Sequence, residues 1–291
     1  MIQNVPGDIL KILQGHSLSS KQIEELSSRL SSKISEKLLA QHKPSFRMSN
    51  WSYWDRKLYY TINRPEKSEP LSDETRLKFL YGDIIEEVVF FLLEQSDHEV
   101  KDRQKEVEIK GVKGHIDGIV DGVLVDVKSA NSRSFDKFRY HMLHNDDSFG
   151  YLDQISLYLH ASKDNPNLKV KGEAGFLAID KELGHIVVDV YKKKETDFEK
   201  ETIRKHYMLS LPTEPPKCFQ PVPEGRSGNE RLPVQCSYCS FKFHCHRNSN
   251  EGAGLQAYSY SGGPKFLTKI VREPEVSNIT KEYKSKNSIT W

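Results

Sequence analysis

Two short β-branched runs within residues 114–128 flank Asp121-Gly122, a dipeptide typical of the type I′ turn of a two-residue β-hairpin. If these two residues form the turn, Asp117 and Asp126 occupy opposed positions on the two strands, and Lys128 shares the face of Asp126. Opposed like charges destabilise a hairpin by up to about 1 kcal/mol. Folding of the hairpin alone does not explain these aspartates, whereas a divalent cation between the two carboxylates would.

The opposite face of the hairpin is apolar, and we expect it to pack on a hydrophobic core while the acidic face stays available to a metal. This apolar face comprises Ile116, Val120, Val123, Val125 and Val127. His115 faces Lys128 in the same register, and such a histidine is more typical of a polar strand position than of a metal ligand.

The composition is typical of a globular protein. The chain has 291 residues and a net charge of +2, so overall charge gives no reason to expect a polyanion as partner. No apolar run approaches the about 18 residues that span a membrane. The N-terminus also lacks the basic start and apolar stretch of a secretion signal. We therefore expect a cytoplasmic protein with no membrane partner.

Hydrophobic periodicity predicts helices and strands in the order of an α/β fold. Ser19 and Gln22 have the spacing of a capping box at the start of a helix over residues 19–42. A second long helix is predicted over Asp73–Glu94. Its expected buried side comprises Leu77, Leu80, Ile84, Ile85, Val88 and Phe91.

The rest of the chain divides into shorter elements. They are a polar loop over 129–149, a helix over 151–162, strands over 174–179 and 185–190, a helix over 196–210 and a tail with weak strand signals over 258–291. We predict three regions, namely an N-terminal helical region (1–72), an α/β core (73–210) and a cysteine-rich segment with the C-terminal tail (211–291).

Carboxylates from the hairpin and from the preceding helix form a donor set that suits Mg²⁺ or Mn²⁺, which prefer oxygen ligands and retain several waters. Glu86 is the helix residue expected to complete the site with Asp117 and Asp126, and Glu87 is the weaker candidate. A metal held there could polarise a phosphate and generate hydroxide. Lys128 could orient the attacking water or stabilise developing negative charge.

These residues resemble the motif of the PD-(D/E)XK nuclease superfamily, in which an aspartate precedes an Asp-x-Lys strand. The helix segment 82–87 is similar to that of the RecB-like branch, which has a metal-proximal His or Glu four residues after a glycine, as Glu86 follows Gly82. The resemblance implies that Asp117, Asp126 and the Val127 carbonyl bind the metal.

A third motif follows the hairpin. Gln154 and Tyr158 match the Q-x-x-x-Y motif of the same branch and lie on one face of the predicted helix. The resemblance implies that both position the substrate strand or support groups near the metal. It also implies a restriction-endonuclease-like core, with a central mixed β-sheet flanked by helices.

The four cysteines are clustered, with Cys218 upstream of Cys236-x2-Cys239-x5-Cys245. In a cytoplasmic chain this clustering indicates thiolate metal ligands rather than disulfides. The spacing resembles the iron–sulfur members of the RecB-like branch, including AddB-type recombination nucleases and CRISPR adaptation nucleases. The resemblance implies a [4Fe–4S] cluster, and Zn²⁺ is the alternative.

The chain departs from those relatives at one position. They take a fourth cysteine from upstream of the nuclease core, whereas the matching stretch here contains Asp55. Cys218 is therefore the expected fourth ligand, and His244 and His246 keep zinc alternatives open. The surrounding aromatic and basic residues, 51–60, either stack on single-stranded DNA or pack their aromatic rings into the core.

Together these motifs predict a metal-dependent DNA exonuclease of recombination, repair or phage DNA processing, since residues 257–265 also resemble the tails of bacteriophage nucleases. The expected partners are linear DNA ends, single strands included, and a recombination protein. A structure- or sequence-selective endonuclease is the first alternative. A non-catalytic DNA-binding recombination subunit is the second, although such a subunit would be expected to lack one of Asp117, Asp126 or Lys128.

Overall fold

A computed structural model gives the fold and describes residues 2–14, 18–39, 43–287 and 289. Its α-helices are α1 (Val5–Leu13), α2 (Ser20–Leu39), α3 (Met48–Trp51), α4 (Asp55–Asn63), α5 (Asp73–Glu94), α6 (Ser132–Arg139), α7 (Tyr151–Ala161), α8 (Phe198–Ser210), α9 (Val234–Ser237), α10 (Lys242–Cys245) and α11 (Thr280–Lys286). Its strands are β1 (Val100–Lys101), β2 (Glu106–Ile109), β3 (Val112–His115), β4 (Gly118–Val120), β5 (Val123–Ala130), β6 (Glu173–Asp180), β7 (Ile186–Lys192), β8 (Val222–Glu224), β9 (Asn229–Arg231), β10 (Gln256–Tyr260) and β11 (Gly263–Lys269). Within these described ranges, the helices are too short or too polar to cross a membrane.

The chain forms two compact units, each built from two separate segments. The first unit comprises Met1–Ser52 and Glu74–Ile203, and the second comprises Tyr53–Asp73 and Arg204–Trp291. The chain therefore passes from the first unit to the second after residue 52, back to the first after residue 73, and again to the second after residue 203. The three regions expected from the sequence stay a prediction.

A five-stranded mixed sheet forms the centre of the first unit, in the order β1-β4-β5-β6-β7. Strands β5 and β6 are parallel, and the other neighbours are antiparallel. Helices flank this sheet, so the predicted α/β class with a central mixed sheet is confirmed. The strands predicted over 174–179 and 185–190 correspond to β6 and β7.

Both faces of the sheet are covered, because successive side chains of a strand point to opposite sides. On one face, Leu124 and Phe176 pack in a hydrophobic core with residues of α6 and α7. On the other face, Val125 and Leu177 pack with residues of α1 and α5. Parallel strand pairs are typically buried on both faces in this way.

The β4–β5 hairpin has the register that its turn dipeptide predicts. Val120 pairs with Val123 and Gly118 pairs with Val125. Asp121 and Gly122 have φ values of +51° and +80°, the left-handed conformation that a type I′ turn requires at both positions. The predicted turn and register are therefore confirmed.

The first strand of the predicted hairpin is interrupted, which the sequence analysis did not anticipate. β3 ends at His115, which pairs with Glu106 of β2 in a separate two-stranded sheet, so the predicted approach of His115 to Lys128 is wrong. Ile116 packs in the core with Leu124 and not with the valines of the opposite face. The acidic face is thus a partly buried surface, because α6 and α7 cover the sheet on that side.

Both long helices begin where the sequence predicts. Ser19 and Gln22 form reciprocal bonds ahead of α2, with the Ser19 N–H donating to Gln22 Oε1 at 2.8 Å and the Gln22 N–H donating to Ser19 Oγ at 3.3 Å. Residues 40–42, at the end of the predicted helix, lie outside the described residues. The predicted bounds of α5 are confirmed.

The predicted buried side of α5 is wrong in its first half. Leu77 is 47% exposed, and the buried residues are concentrated at the other end of the helix. These are Glu87, Val89, Phe90, Phe91, Leu92 and Leu93. Because these buried residues are adjacent in sequence, they point to several sides of the helix, and the C-terminal half is enclosed on more than one side. The helical spacing that predicts a single buried face does not hold there.

The predicted polar loop over 129–149 contains a helix, α6, which corrects that prediction. Asn131 caps it, since its side-chain oxygen accepts from the Ser134 N–H at 2.9 Å. Phe135 and Phe138, three residues apart, are both buried against the sheet. Two aromatic contacts hold a helix whose remaining residues are polar.

The second unit contains a four-stranded sheet in the order β10-β11-β9-β8. Its core includes Leu232, Phe243 and Phe266. Lys242 and Glu69 form a buried ion pair at 2.5 Å within this unit. Removing either partner would leave a buried charge without compensation, so the pair ties the early segment to the late one.

The hairpin turn supports a test of the fold. We expect Gly122→Ala to lower the free energy of unfolding of the first unit by about 1–2 kcal/mol, the cost of a left-handed backbone at a residue with a Cβ. The added Cβ would also lie 2.7 Å from side-chain carbons of Lys169. Urea denaturation monitored by circular dichroism measures the change. Gly172→Ala is the matched control, because Gly172 has open space around it, and equal destabilisation by both substitutions would contradict the assigned turn.

Candidate active site

Asp117 lies between β3 and β4, where the strand is interrupted. The pairing of β4 with β5 ends at Gly118 and Val125, and the half-buried Asp117 carboxylate continues it by accepting a hydrogen bond from the Val127 N–H at 2.7 Å. A Cβ on Gly118 would lie 2.8 Å from the ring of Phe90, so glycine is needed where the chain approaches α5. These contacts fix the position of the Asp117 carboxylate.

Asp126 and Lys128 lie on β5, and Asp126 is paired in register with Phe176 of β6. Asp126 is only 4% exposed. Its Oδ2 lies 2.6 Å from Lys128 Nζ, yet this buried oxygen makes no hydrogen bond of acceptable geometry among the described residues. Asp126 is therefore a buried carboxylate held by an ion pair with Lys128.

Glu86 and Glu87 of α5 have different environments. Glu86 Oε1 accepts a hydrogen bond from Gln104 Nε2 at 2.7 Å and lies 3.6 Å from Lys33 Nζ. Glu87 is buried and pairs instead with Arg103, at 2.7 Å. The charge of Glu86 contributes to the raised pKa of Asp117, and the charge of Asp126 contributes to the raised pKa of Glu86. The structure thus brings Glu86 to the aspartates and commits Glu87 to an ion pair.

The electrostatics show that the carboxylates repel one another. Burial raises the pKa of Asp117 well above its usual value, and the charges of Asp126 and Glu86 raise it further. Burial also raises the pKa of Glu86, with Lys33 opposing and Asp126 adding to the shift. Burial alone would lower the pKa of Lys128, but the carboxylates of Asp126 and Asp117 outweigh it and raise that pKa. The site therefore favours additional positive charge.

The donor set fits a hard divalent cation, since carboxylate oxygens are the preferred ligands of Mg²⁺ and Mn²⁺. Among the described residues, however, no three His, Cys, Asp or Glu side chains are arranged as a ready metal-binding group. Asp117, Asp126 and Glu86 are held instead by Val127, Lys128 and Gln104. Binding of a cation would require the carboxylates to turn from these partners towards one another.

Gln154 and Tyr158 both belong to α7 and lie one turn apart on it. Tyr158 is only 5% exposed, and its ring closely approaches Gly114, where an added Cβ would lie 2.8 Å away. Burial raises the pKa of Tyr158 to about 12, and the nearby side chain of Gln154 opposes the shift. Tyr158 is therefore a core residue close enough to Asp126 and Asp117 for their charges to raise its pKa further. Gln154, which is half-buried, is the more accessible of the two.

Gln104 is a site residue that the sequence analysis missed. Its N–H donates to the Asp117 carbonyl at 3.3 Å, and its side chain binds Glu86. Its φ of +51° is unusual for a residue with a long side chain. Glutamine carries no sequence signal for this conformation, so only the structure reveals the link between Asp117 and Glu86.

The four cysteines lie in the second unit, free of disulfides and half-buried, and all four line one cavity. Burial raises the pKa of Cys236 to about 12, and the neighbouring thiols Cys239, Cys245 and Cys218 raise it further. The thiols are therefore close enough to interact. The same cavity is lined by Arg56, Lys57, Lys217 and Lys242.

Asp55 does not line the cavity that contains the four thiols. Its two carboxylate oxygens each accept a hydrogen bond from Arg204 at 2.7 Å, and this bond lowers the pKa of Asp55. Cys218 lines the cavity with the other three cysteines, and so does the buried His246, whose Nδ1 has no hydrogen-bond partner among the described residues. His244 instead packs edge-on against Tyr60.

The aromatic residues of the 51–60 stretch are mostly buried. Trp51 packs in the core of the first unit, where its Nε1 donates to Thr202 Oγ1 at 2.8 Å. Tyr59 and Tyr60 are buried in the second unit. Core packing is therefore confirmed for these three rings. Because they are buried, the prediction that they stack on DNA is wrong. Trp54 remains exposed and contacts Phe219.

The five-stranded mixed sheet with helices on both faces agrees with the central sheet and flanking helices that the sequence resemblance implied. No protein-family model matches the sequence, and no curated protein does.

Solved structures give distant similarities. SSO0001 is 14% identical, with a TM-score of 0.40 over 74% of this chain and 93% of that chain. LHK-Exo, solved in complex with dAMP, is 13% identical, with a TM-score of 0.36 over 64% of this chain and 93% of that chain. A phage-related exonuclease from Haemophilus somnus 129PT is 10% identical, with a TM-score of 0.29 over 71% of this chain and 89% of that chain.

The repulsion among the acids predicts a stabilising substitution. In EDTA at neutral pH, Asp117→Asn should raise the melting temperature by about 2–4 °C, the change that roughly 1 kcal/mol produces in a domain of this size. The amide removes the buried charge but can still accept from Val127. Because the pKa of Asp117 is raised in the folded protein, the gain should shrink as the pH falls through that pKa and the wild-type carboxyl becomes neutral too.

Thermal unfolding followed by circular dichroism provides the measurement. The exposed residue Asp97 of the same unit supplies the control, since Asp97→Asn should leave the melting temperature unchanged. A lower melting temperature for Asp117→Asn would show that the charge of Asp117 stabilises the metal-free protein.

Proposed function

We propose that the chain is a Mg²⁺- or Mn²⁺-dependent deoxyribonuclease. The observation that carries the proposal is the concentration of Asp117, Asp126 and Glu86 around β5, where the hairpin is interrupted, with Lys128 in ion-pair contact with Asp126. Stability of the fold does not account for mutually repelling buried carboxylates. Such groups are typical of functional sites, where a ligand compensates for their repulsion.

Asp117, Asp126 and Glu86 would hold the cation, with the Val127 carbonyl as the backbone ligand. Bound there, Mg²⁺ or Mn²⁺ would supply Lewis-acid polarisation of the phosphate and a water with a lowered pKa. Lys128 carries an ammonium group at the same site and is suited to orient water and to stabilise the negative charge that develops on the phosphate. Gln154 and Tyr158 support the substrate strand and the acids.

We further propose exonucleolytic action on DNA ends in recombination, repair or phage DNA processing, with a recombination protein as partner. The support is the motif order shared with the RecB-like branch. We propose a cytoplasmic location, because the four cysteines are free and thiols stay reduced in the cytoplasm. End-labelled linear DNA and covalently closed circular DNA, each incubated with Mg²⁺ or Mn²⁺, test the mode of action. An exonuclease degrades only the linear DNA, and nicking or linearisation of the circle would favour the endonuclease instead.

The two neighbouring glutamates of α5 allow a matched test of the site. Glu86→Gln should lower the rate of DNA cleavage by at least about 10- to 100-fold, the loss typical even for outer-shell partners of metal ligands, because the site loses a carboxylate that would hold the cation. Glu87→Gln should retain most of the activity and melt at a lower temperature, because Glu87 pairs with Arg103.

Asp126→Asn should abolish cleavage while preserving the fold. Initial rates on labelled linear DNA, at saturating Mg²⁺, measure all three variants. Full activity of Asp126→Asn would refute the assigned site, and a complete lack of cleavage by the wild-type protein with either metal would favour a non-catalytic DNA-binding subunit.

We also propose that Cys218, Cys236, Cys239 and Cys245 hold a [4Fe–4S] cluster, with Zn²⁺ as the alternative. The four thiols share one cavity, and soft thiolates are the usual ligands of both. Lysine and arginine side chains around the cavity would offset the negative charge of thiolate ligands. Visible absorption and metal analysis of anaerobically purified protein distinguish the brown iron–sulfur protein from a colourless zinc protein.

Cys218 and Asp55 provide the test of the fourth ligand. Cys218→Ser should reduce the metal content per chain, since the site loses a thiolate. Asp55→Asn should retain the full metal content, because Asp55 is bound to Arg204 and does not line the cavity. Elemental analysis of both variants decides the matter, and undiminished metal in Cys218→Ser would exclude Cys218 as a ligand.

A further inference from the structure

A cleft in the first unit begins at Lys128 and is separate from the carboxylates on which the proposed chemistry depends. Its volume is about 380 Å³, within the range of roughly 300–1,000 Å³ typical of small-ligand pockets. Its walls come from the end of β5, from α6 and from residues 146–151, which lead into α7. The cleft therefore has room for a ligand of about the size of one nucleotide.

The acidic residues of the cleft are already bound to protein groups. Asp146 pairs with Lys137 at 2.7 Å. Both oxygens of Asp147 accept hydrogen bonds from backbone N–H groups at the start of α7, at 2.8 and 2.9 Å. Glu182 accepts from the hydroxyl and the N–H of Ser132, at 2.8 and 3.1 Å. Each of the three negative charges thus has a local partner, and the N-termini of α6 and α7 are occupied.

Two positive charges of the cleft have no such partner. Lys78 and Lys181 are exposed, line the cleft, and have no ion-pair partner among the described residues. Four lysines and three acids line the cleft. Lys78 and Lys181 are the exposed ammonium groups available to contact phosphate.

An aromatic surface lies beside the lysines. Phe149 is 63% exposed at the cleft, and its ring centroid lies 5.6 Å from that of Tyr151. Tyr151 in turn lies under Lys128, whose Nζ is 5.0 Å from the ring centroid. A ligand stacked on Phe149 would therefore lie close to the residue that connects the cleft with the carboxylates.

We propose that this cleft binds one unpaired nucleotide of a DNA strand, with Phe149 stacking on the base and Lys78 and Lys181 contacting its phosphates. The proposal rests on the nuclease function proposed above and specifies its substrate as DNA with unpaired bases. A base inside a duplex already stacks on its neighbours, so its face is not free to stack on Phe149. Base–aromatic stacking tolerates any sequence, so the cleft selects for single strands and not for a sequence.

Binding in EDTA tests the cleft without cleavage. Fluorescence anisotropy of the full chain with a labelled single-stranded oligonucleotide, and with a blunt hairpin duplex, gives both affinities. Phe149→Ala should weaken single-strand binding by about 5- to 150-fold, as expected for loss of one stacked base. Phe149→Trp keeps an aromatic ring and should bind the single strand about as tightly as the wild-type protein does. Tyr140→Ala is the control, because Tyr140 is also 63% exposed but does not line the cleft.

The lysines are tested by salt dependence. Lys78→Gln and Lys181→Gln should each reduce the slope of log affinity against log salt by about 0.7, the value for one phosphate contact with a single strand. Lys171→Gln, at an exposed position outside the cleft, should leave the slope unchanged.

Equal affinity of Phe149→Ala and the wild-type protein for the single strand would overturn the proposal. Equal losses on single-stranded and duplex DNA would also overturn it, as would equal losses in Tyr140→Ala. If the predicted losses occur but the wild-type protein cleaves no DNA with Mg²⁺ or Mn²⁺, the cleft is supported and the nuclease function fails.

Discussion

The hydrogen bond from the Val127 N–H to the Asp117 carboxylate is the interaction on which the candidate active site depends. It replaces the strand pairing that ends at Gly118, and so it uses a side chain to complete the sheet. The same bond holds Asp117 near Asp126, where burial and the repulsion between the carboxylates both raise the pKa of Asp117. Gln104 and Lys128 stabilise the arrangement from either side, and the cores on both sheet faces restrict its movement.

Features determined by local chemistry could be predicted from the sequence. The turn dipeptide determined the register of β4 and β5, since few residue pairs adopt two consecutive left-handed conformations. The bounds of α5 and the capping box ahead of α2 also follow from neighbouring residues. The juxtaposition of Asp117 with Asp126 followed from the same register, and Glu86 followed from a motif rather than from a pattern of burial.

Features determined by distant parts of the chain could not be predicted. The need for glycine at position 118 depends on Phe90, which approaches from α5. The burial of the second half of α5 depends on elements that enclose it, and the role of Gln104 depends on a left-handed backbone that glutamine rarely adopts. Phe149 lay in a segment read as a polar loop, where an exposed aromatic residue has no periodic signal. Composition and spacing carry no information about such contacts.

The interleaving of the two units has a consequence for folding during synthesis. Domains generally fold as units as the chain emerges from the ribosome. The last residue of the first unit is Ile203, so the carboxylate site is complete in sequence before any cysteine is synthesised. Tyr60, in contrast, packs against Phe241 and His244, so these contacts cannot form until residue 244 has been synthesised. The second unit therefore closes last, and any metal bound by its thiols is loaded onto a chain whose carboxylate site has already had time to fold.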